Sequence, residues 1–341
     1  MRKEHMNSIK KNILMIGIFI GGLLIGISIT YILPWAQTSN YFRPPLRERT
    51  AYDFINPLLI CDARESQSPM GSEHLKSSIE SYIDQAKKNG AIDSTSIYFR
   101  NFNTSEWLGI NPNEQFSLAS LGKVPVMIAY LKLADANPDI LKQKLKYTGT
   151  DDLNIQQEIS PEQAIVPNTS YTIAELIERM ILYSDNNATM ALYQNLNKTL
   201  LQNVYTDLNI DLSNSFASQS KDFITAHEYA SFYRVLYNAT YLSKPNSEKA
   251  LGLLTETNFS KGLIANIPKG TKVAHKFGLT TFTQDGIVQK RELHECGIFY
   301  TQKTPYLLCI MTKSHGSLEA IEDFIAQTSH IVFENIATNS N

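Results

Sequence analysis

The sequence predicts an α+β fold. One antiparallel sheet, built from both ends of a globular region and covered by helices as an α/β sandwich, stands beside a mostly helical lobe. Three observations carry this. One helix pattern and two strand patterns precede residue 116. Three strand patterns and a helix pattern close the chain. Amphipathic helices fill most of the stretch between about 120 and 240.

The 341-residue chain opens on a different kind of segment. Residues 13–33, ILMIGIFIGGLLIGISITYIL, carry no charge, and at about 1.5 Å per residue a helix of that length crosses a bilayer. Arg2, Lys3, Lys10 and Lys11 precede it and favour a cytoplasmic N-terminus, while Trp35 and Tyr41 follow at interface depth. A cleaved signal peptide is the rival reading. Its apolar core is usually about 7–15 residues, and no A-x-A-like site follows here, so an uncleaved anchor is favoured. Either reading exports the rest of the chain. The expected organisation is a cytoplasmic tail over 1–12, a transmembrane anchor over 13–33, a linker over 34–70 and a globular domain over 71–341. Within the linker the apolar patch INPLLICD (Ile55 to Asp62) is expected to dock on the domain.

From Glu73 to Lys88, apolar residues at Leu75, Ile79, Tyr82, Ile83 and Ala86 have helical spacing, with Asn89-Gly90 as the C-cap. SIYFRNF (Ser96 to Phe102) and EWLGINP (Glu106 to Pro112) read as strands around an Asn-Thr-Ser turn. FSLASLGKVPVMIAYLK (Phe116 to Lys132) reads as a helix whose Pro125 requires a start close to Ser120 or a kink. Thr172 and Glu175 form a capping box ahead of the apolar face Ile173, Leu176, Ile177 and Met180. A break at SDN separates this helix from ATMALYQNL, and Ile224 to Leu236 is a further amphipathic helix. TKVAHKFG, HECGIFYT and PYLLCIMT read as strands, and Leu318 to Ile336 as the closing helix.

Acidic and basic residues nearly balance, 33 against 31, with no basic stripe, which excludes nucleic acid as a partner. A hairpin turn near Gln302 to Pro305 sets Cys296 and Cys309 almost opposite each other. That permits a cross-strand bridge and equally permits buried free thiols; Cys61 is the third cysteine. His275, His294 and Cys296 raise the possibility of a metal. No H-x-H, HExxH or C-x-x-C accompanies them, and strand alternation turns His275 away from Lys276, so no metal or cofactor is expected.

Ser120 and Lys123 lie one helical turn apart. That spacing alone means little, since Ser8/Lys11 and Ser218/Lys221 repeat it. Two further motifs follow in order: Ser184-Asp185-Asn186 between helices, and Lys276-Phe277-Gly278 on a strand. S-x-x-K, S-D-N and a Lys-x-Gly strand in this order and setting resemble class A β-lactamases and penicillin-binding proteins over roughly residues 73 to 338. F-x-x-A-S-x-x-K-V and YTIAELIERMILYSDNNAT extend the likeness beyond the motif residues.

The resemblance implies a serine acyl-enzyme hydrolase acting on a β-lactam or a peptidoglycan-like amide. Ser120 would be the nucleophile and Lys123, held neutral by burial and by a second cation at Lys276, its base. Ser184 would relay a proton to the leaving nitrogen. Asn186 would bind the substrate's amide and Lys276 its carboxylate. The N–H groups of Ser120 and Leu279, beside Gly278, would form the oxyanion hole. Two departures stand out. Phe277 replaces the usual hydroxyl residue, for which Thr280 or Thr281 is the nearest substitute. The loop that carries a deacylating Glu looks shortened, and neither Glu228, Glu248 nor Glu256 has the expected context, while Asp207 and Asp211 read as surface residues. These departures turn the expectation from efficient lactamase turnover towards slow hydrolysis or a D,D-peptidase-like role. The rival reading is a non-catalytic scaffold that retains the fold.

Overall fold

The computed structural model describes residues 46–48, 51–60, 73–149, 151–210 and 222–338, together with Met6 and Met15. The chain divides into two compact units, Met1–Arg43 and Pro44–Asn341. In the first, only Met6 and Met15 are described, both helical, so the apolar span expected at 13–33 lies outside the described residues apart from Met15. Among the described residues no helix is long and apolar enough to cross a membrane.

The second unit begins with a short antiparallel pair, β1 (Leu46–Arg47) and β2 (Leu58–Ile60). The segment between them is docked. The Glu248 carboxylate accepts the backbone N–H groups of Asp53, Phe54 and Ile55, a nest of consecutive amides around one anion. Asn56 N–H donates to Tyr237 O and Leu58 N–H to Asn238 O. Helix α1 (Glu73–Lys88) buries Leu75, Ile79, Ile83 and Ala86 and ends at Gly90, whose φ of 72° is the left-handed conformation that closes many helices.

Strands β3 (Ser94–Asn101) and β4 (Trp107–Ile110) follow, then β5 (Phe116–Ser117). A 3₁₀ turn, Ala119–Gly122, leads into α2 (Lys123–Ala136). Pro125 is the third residue of α2, within the first turn, where its missing N–H would have no intrahelical partner in any case. Strands β6 (Lys144–Lys146) and β7 (Ser170–Thr172) form a small pair. The lobe continues through α3 (Ile173–Leu182), opened by the Thr172/Glu175 capping box, α4 (Asn186–Asn195) and α5 (Lys198–Asp207). Then come β8 (Asp222–Ile224), paired with β5, α6 (Ala226–Tyr237) and α7 (Lys244–Thr255). Helix α7 is an addition to the expected elements. Its signals are Ser243 as N-cap, Pro245 in the first turn and the buried spacing Ala250, Leu251, Leu254.

The chain closes with β9 (Lys272–Gln284), β10 (Ile287–Tyr300), β11 (Tyr306–Lys313) and α8 (Leu318–Thr338). The main sheet is antiparallel in the order β4-β3-β11-β10-β9, so strands from both ends of the unit do share it. One face packs Ile97, Phe99, Phe277, Leu293 and Ile310 against α1 and α8. The other packs Tyr98, Ile298, Leu307 and Met311 against the helical lobe. The β9–β10 hairpin is longer than its apolar pattern suggests. Asp285 and Gly286, with φ of 52° and 78°, turn it beyond the core as an Asp-Gly pair. Cys296 and Cys309 are cross-strand partners and are joined by a disulfide, which settles the pairing that sequence left open.

Candidate active site

The site lies where the 3₁₀ turn, the α3–α4 junction and the free edge of β9 converge. Strand β5 delivers the turn. Ser117 N–H donates to Glu292 Oε2 at 3.1 Å, and Ser117 Oγ is 2.9 Å from Thr280 Oγ1. Burial pushes the Glu292 carboxyl up, but His294, Lys290 and the Ser117 amide outweigh it and hold the group at about 2. A permanent carboxylate beneath the sheet edge therefore pins the strand that leads to Ser120. Ala119, with φ of 46°, turns the chain so that Ser120 stands half-buried at the head of α2.

Gly278 is the point of closest approach. A Cβ placed there would lie 2.9 Å from Leu121 N and 3.1 Å from Ser120 N. Only glycine lets β9 come this near the turn, and the approach sets the backbone of Leu279 beside that of Ser120.

Lys123 is 3% exposed. Its amine crosses to the α3–α4 junction and donates to Ser184 O at 2.6 Å, Ser184 Oγ at 2.9 Å and Asn186 Oδ1 at 2.8 Å. Burial, reinforced by the nearby charge of Lys276 and opposed by Asp185, holds its pKa well below the ordinary lysine value. Lys276 is 1% exposed, and burial lowers its pKa to about 7 against the opposing pull of Glu295. Its Nζ donates to Phe277 O at 3.2 Å.

The junction itself is held rigidly. Ser184 adopts φ of 59°, and the buried Asp185 carboxylate accepts from Asn154 Nδ2, the Asn187 amide and the Ile165 amide at 2.7–2.9 Å. Asn186 Nδ2 donates to Leu153 O, and Asn154 Oδ1 accepts the Asn186 N–H.

The structure thus brings Lys123, Ser184 and Asn186 into direct contact and sets Lys276, Gly278 and Leu279 on the facing strand. Among the described residues no hydrogen bond joins Ser120 Oγ to Lys123 Nζ. The lysine spends its three donors on the junction instead. Phe277 turns to the opposite face, where its ring stacks on Phe259 with centroids 4.2 Å apart. Thr281 Oγ1 donates to Glu158, and Thr280 Oγ1 is held by Ser117. Three of the carboxylates that follow the second motif are engaged elsewhere: Glu228 caps α6, Glu248 holds the 53–55 amides, and Asp207 accepts from Tyr241. Residues 211–221, including Asp211, lie outside the described residues. Sequence reasoning missed Asp152, Asn154, Gln157 and Glu158. Their run, DDLNIQQE, has no periodicity and no motif spacing, so only the fold reveals that it braces the junction.

The profile described as "Beta-lactamase enzyme family" matches residues 74–336. The chain belongs to the beta-lactamase enzyme family. Solved structures with the same fold include the TLA-1 extended-spectrum β-lactamase, at 20% identity and TM-score 0.64, covering 78% of this chain and 99% of that one. PBP-A matches at 20% identity and TM-score 0.63, covering 80% and 98%. A β-lactamase from Sphaerobacter thermophilus matches at 18% identity and TM-score 0.63, covering 77% and 97%. A PBP-A variant is known as an acyl-enzyme complex with penicillin G. No curated protein matches the sequence. Both β-lactamases and a penicillin-binding protein therefore share the architecture of this family member.

Proposed function

We propose that the protein is an exported serine acyl-transfer enzyme, anchored through residues 13–33, that forms an acyl-enzyme on Ser120 with β-lactams or related amides. The observation that carries this is the state of Lys123: a buried lysine, one turn from a half-exposed serine, with its proton affinity depressed by burial and by a second amine. An ammonium uses all three N–H groups on Ser184 and Asn186. Neutral Lys123 has only two, so on losing its proton it must release or reverse one of those bonds, and the freed lone pair becomes available to Ser120. Ser120 Oγ then attacks the amide carbonyl as its proton passes to Lys123. The oxyanion forms against the N–H groups of Ser120 and Leu279, and the C–N bond breaks as Ser184 hands a proton to the leaving nitrogen.

A second reading, a D,D-peptidase-like enzyme that transfers or slowly releases its acyl group, draws on the same site. It is favoured by the engagement of Glu228, Glu248 and Asp207 away from Ser120 and by Phe277 in place of a hydroxyl residue. A fluorescent penicillin tests both readings. A covalent band lost in Ser120→Ala supports the acyl-enzyme, and its lifetime separates fast turnover from trapping. A band that persists in Ser120→Ala, or no covalent adduct with either a penicillin or a D-alanyl thioester, contradicts the reading. The anchor is tested separately: deleting residues 1–36 should move the protein from the membrane fraction to the soluble one.

A further inference from the structure

A loop links two walls of this site. Residues 152–158 are fastened at one end to the Ser184–Asn187 junction. There Leu153 N–H donates to Asn187 Oδ1, Asn187 Nδ2 donates to Asp152 Oδ1, and Asn154 bonds Asp185 and Asn186. At the other end Glu158 reaches the facing wall. Its carboxylate accepts from Arg291 Nε at 3.0 and 3.1 Å, from Arg291 Nη2 at 2.8 Å and from Thr281 Oγ1 at 2.7 Å. One loop carboxylate thus occupies a receptor made of a guanidinium fork and a hydroxyl, the geometry that recognises carboxylates.

The two halves of this contact differ. Arg291 sits on β10, opposite Thr281 of β9, with its backbone paired to Ser314 at 2.7 and 2.9 Å and its Nη1 on Gly316 O. Glu158 sits in a stretch with neither helix nor strand, beside the exposed Ile155. If the contact opens, the guanidinium and hydroxyl stay in place and the glutamate leaves. An incoming cation would have to displace the strand-held arginine. An incoming carboxylate need only replace the loop carboxylate, and it inherits the same donors.

Position supplies the rest. Thr281 is three residues beyond Gly278 on β9, on the side away from Lys276, which is about 10 Å along the strand from the Ser120 turn. A substrate lying along this free edge, with its leaving group towards Lys276, would run its acyl portion past Thr281, whose cross-strand neighbour on β10 is Arg291. We propose that Arg291 and Thr281 form an acyl-side carboxylate subsite, that Glu158 fills it in the free protein, and that the substrate class is an acyl donor whose acyl chain ends in a carboxylate. This rests on the reading of Ser120 as nucleophile.

The test uses two D-alanyl thioesters that differ only at the chain end, N-glutaryl and its neutral glutaramide. The wild type should prefer the carboxylated thioester in kcat/KM by about tenfold, the scale of one charge-assisted contact. Arg291→Gln should bring the ratio to about one, and Glu158→Gln should raise it by removing the internal competitor. A wild-type ratio near one, or equal effects of both substitutions on the two thioesters, overturns the proposal and leaves the bridge a structural clasp. If neither thioester acylates Ser120, the nucleophile reading fails instead. Calorimetric titration with unreactive N-glutaryl-D-alaninamide then decides the subsite alone. Binding that is lost in Arg291→Gln and tightened in Glu158→Gln supports it, and no binding overturns it.

Discussion

Replacing Lys276 with Met keeps a side chain of similar reach and removes a buried amine. Lys276 is 1% exposed, and burial lowers its pKa from 10.5 to about 7. Between those values the unfolded chain holds a proton that the folded protein does not. Unfolding therefore takes up a proton, and stability rises with pH across that window. Below about pH 7 both states are protonated and the folded state bears the full cost of the buried charge. A fall from 10.5 to about 7, at about 1.4 kcal/mol per tenfold in proton affinity, amounts to on the order of 5 kcal/mol. Lys276→Met carries none of it. Lys123, whose depression owes part to Lys276, also moves back towards its ordinary value, which trims its own contribution. Urea denaturation at pH 6, 8 and 10 should show the variant more stable than the wild type at pH 6, with the gap narrowing steadily to pH 10. Acylation should fall at the same time. An identical dependence of stability on pH in the two proteins, or a variant that is less stable at pH 6 than at pH 10 relative to the wild type, refutes the reasoning.

Further outcomes follow from neighbouring contacts. Gly278→Ala places a methyl 3.1 Å from Ser120 N and 2.9 Å from Leu121 N, so β9 and the turn must move apart; stopped-flow acylation should slow by about 10²-fold, the scale of a lost oxyanion donor, and the melting temperature should fall. Glu292→Gln should cost about 1–3 kcal/mol at neutral pH. Since the folded carboxyl sits at about 2, below its ordinary 4.5, wild-type stability from this group is present above 4.5 and lost as pH falls towards 2, so the variant's acid unfolding curve should be flatter over that window. Replacing Cys296 and Cys309 together with Ala opens a bridge of sequence separation 13, and chemical denaturation should show a loss of at most about 3 kcal/mol, because the strands around it remain paired.

Much of the fold was legible because apolar spacing reports the faces that pack. Leu75, Ile79 and Ile83 on α1, and Leu176, Ile177 and Met180 on α3, read correctly for that reason. The sheet's two-ended assembly followed from element order alone. Helix α7 escaped because its mean composition is polar and its caps are Ser and Pro, residues equally at home in loops. The extension of β9 and β10 escaped because Thr281 to Lys290 lie beyond the core and follow solvent, not the alternation of a buried face. At the site, motif order brought Lys123, Ser184, Asn186, Lys276 and Gly278 to attention: the first three are in contact, Gly278 lies against the Ser120 turn, and Lys276 is two residues before it on the same strand. Their actual partners were not legible. That Lys123 reaches Ser184 and Asn186, 61 and 63 residues on, and that Glu158 spans 133 residues to Arg291, are consequences of backbone placement that no local pattern encodes.

The account's central claim is that unprotonated Lys123 activates Ser120, and the pH dependence of the acylation rate tests it most directly. With a β-lactam in single-turnover conditions, the rate constant should rise with pH and level off well before pH 10, since burial and Lys276 hold Lys123 far below its ordinary value. Lys123→Ala should abolish that limb together with most of the rate. A rate that climbs without levelling to pH 10, or one that survives intact in Lys123→Ala, contradicts the claim.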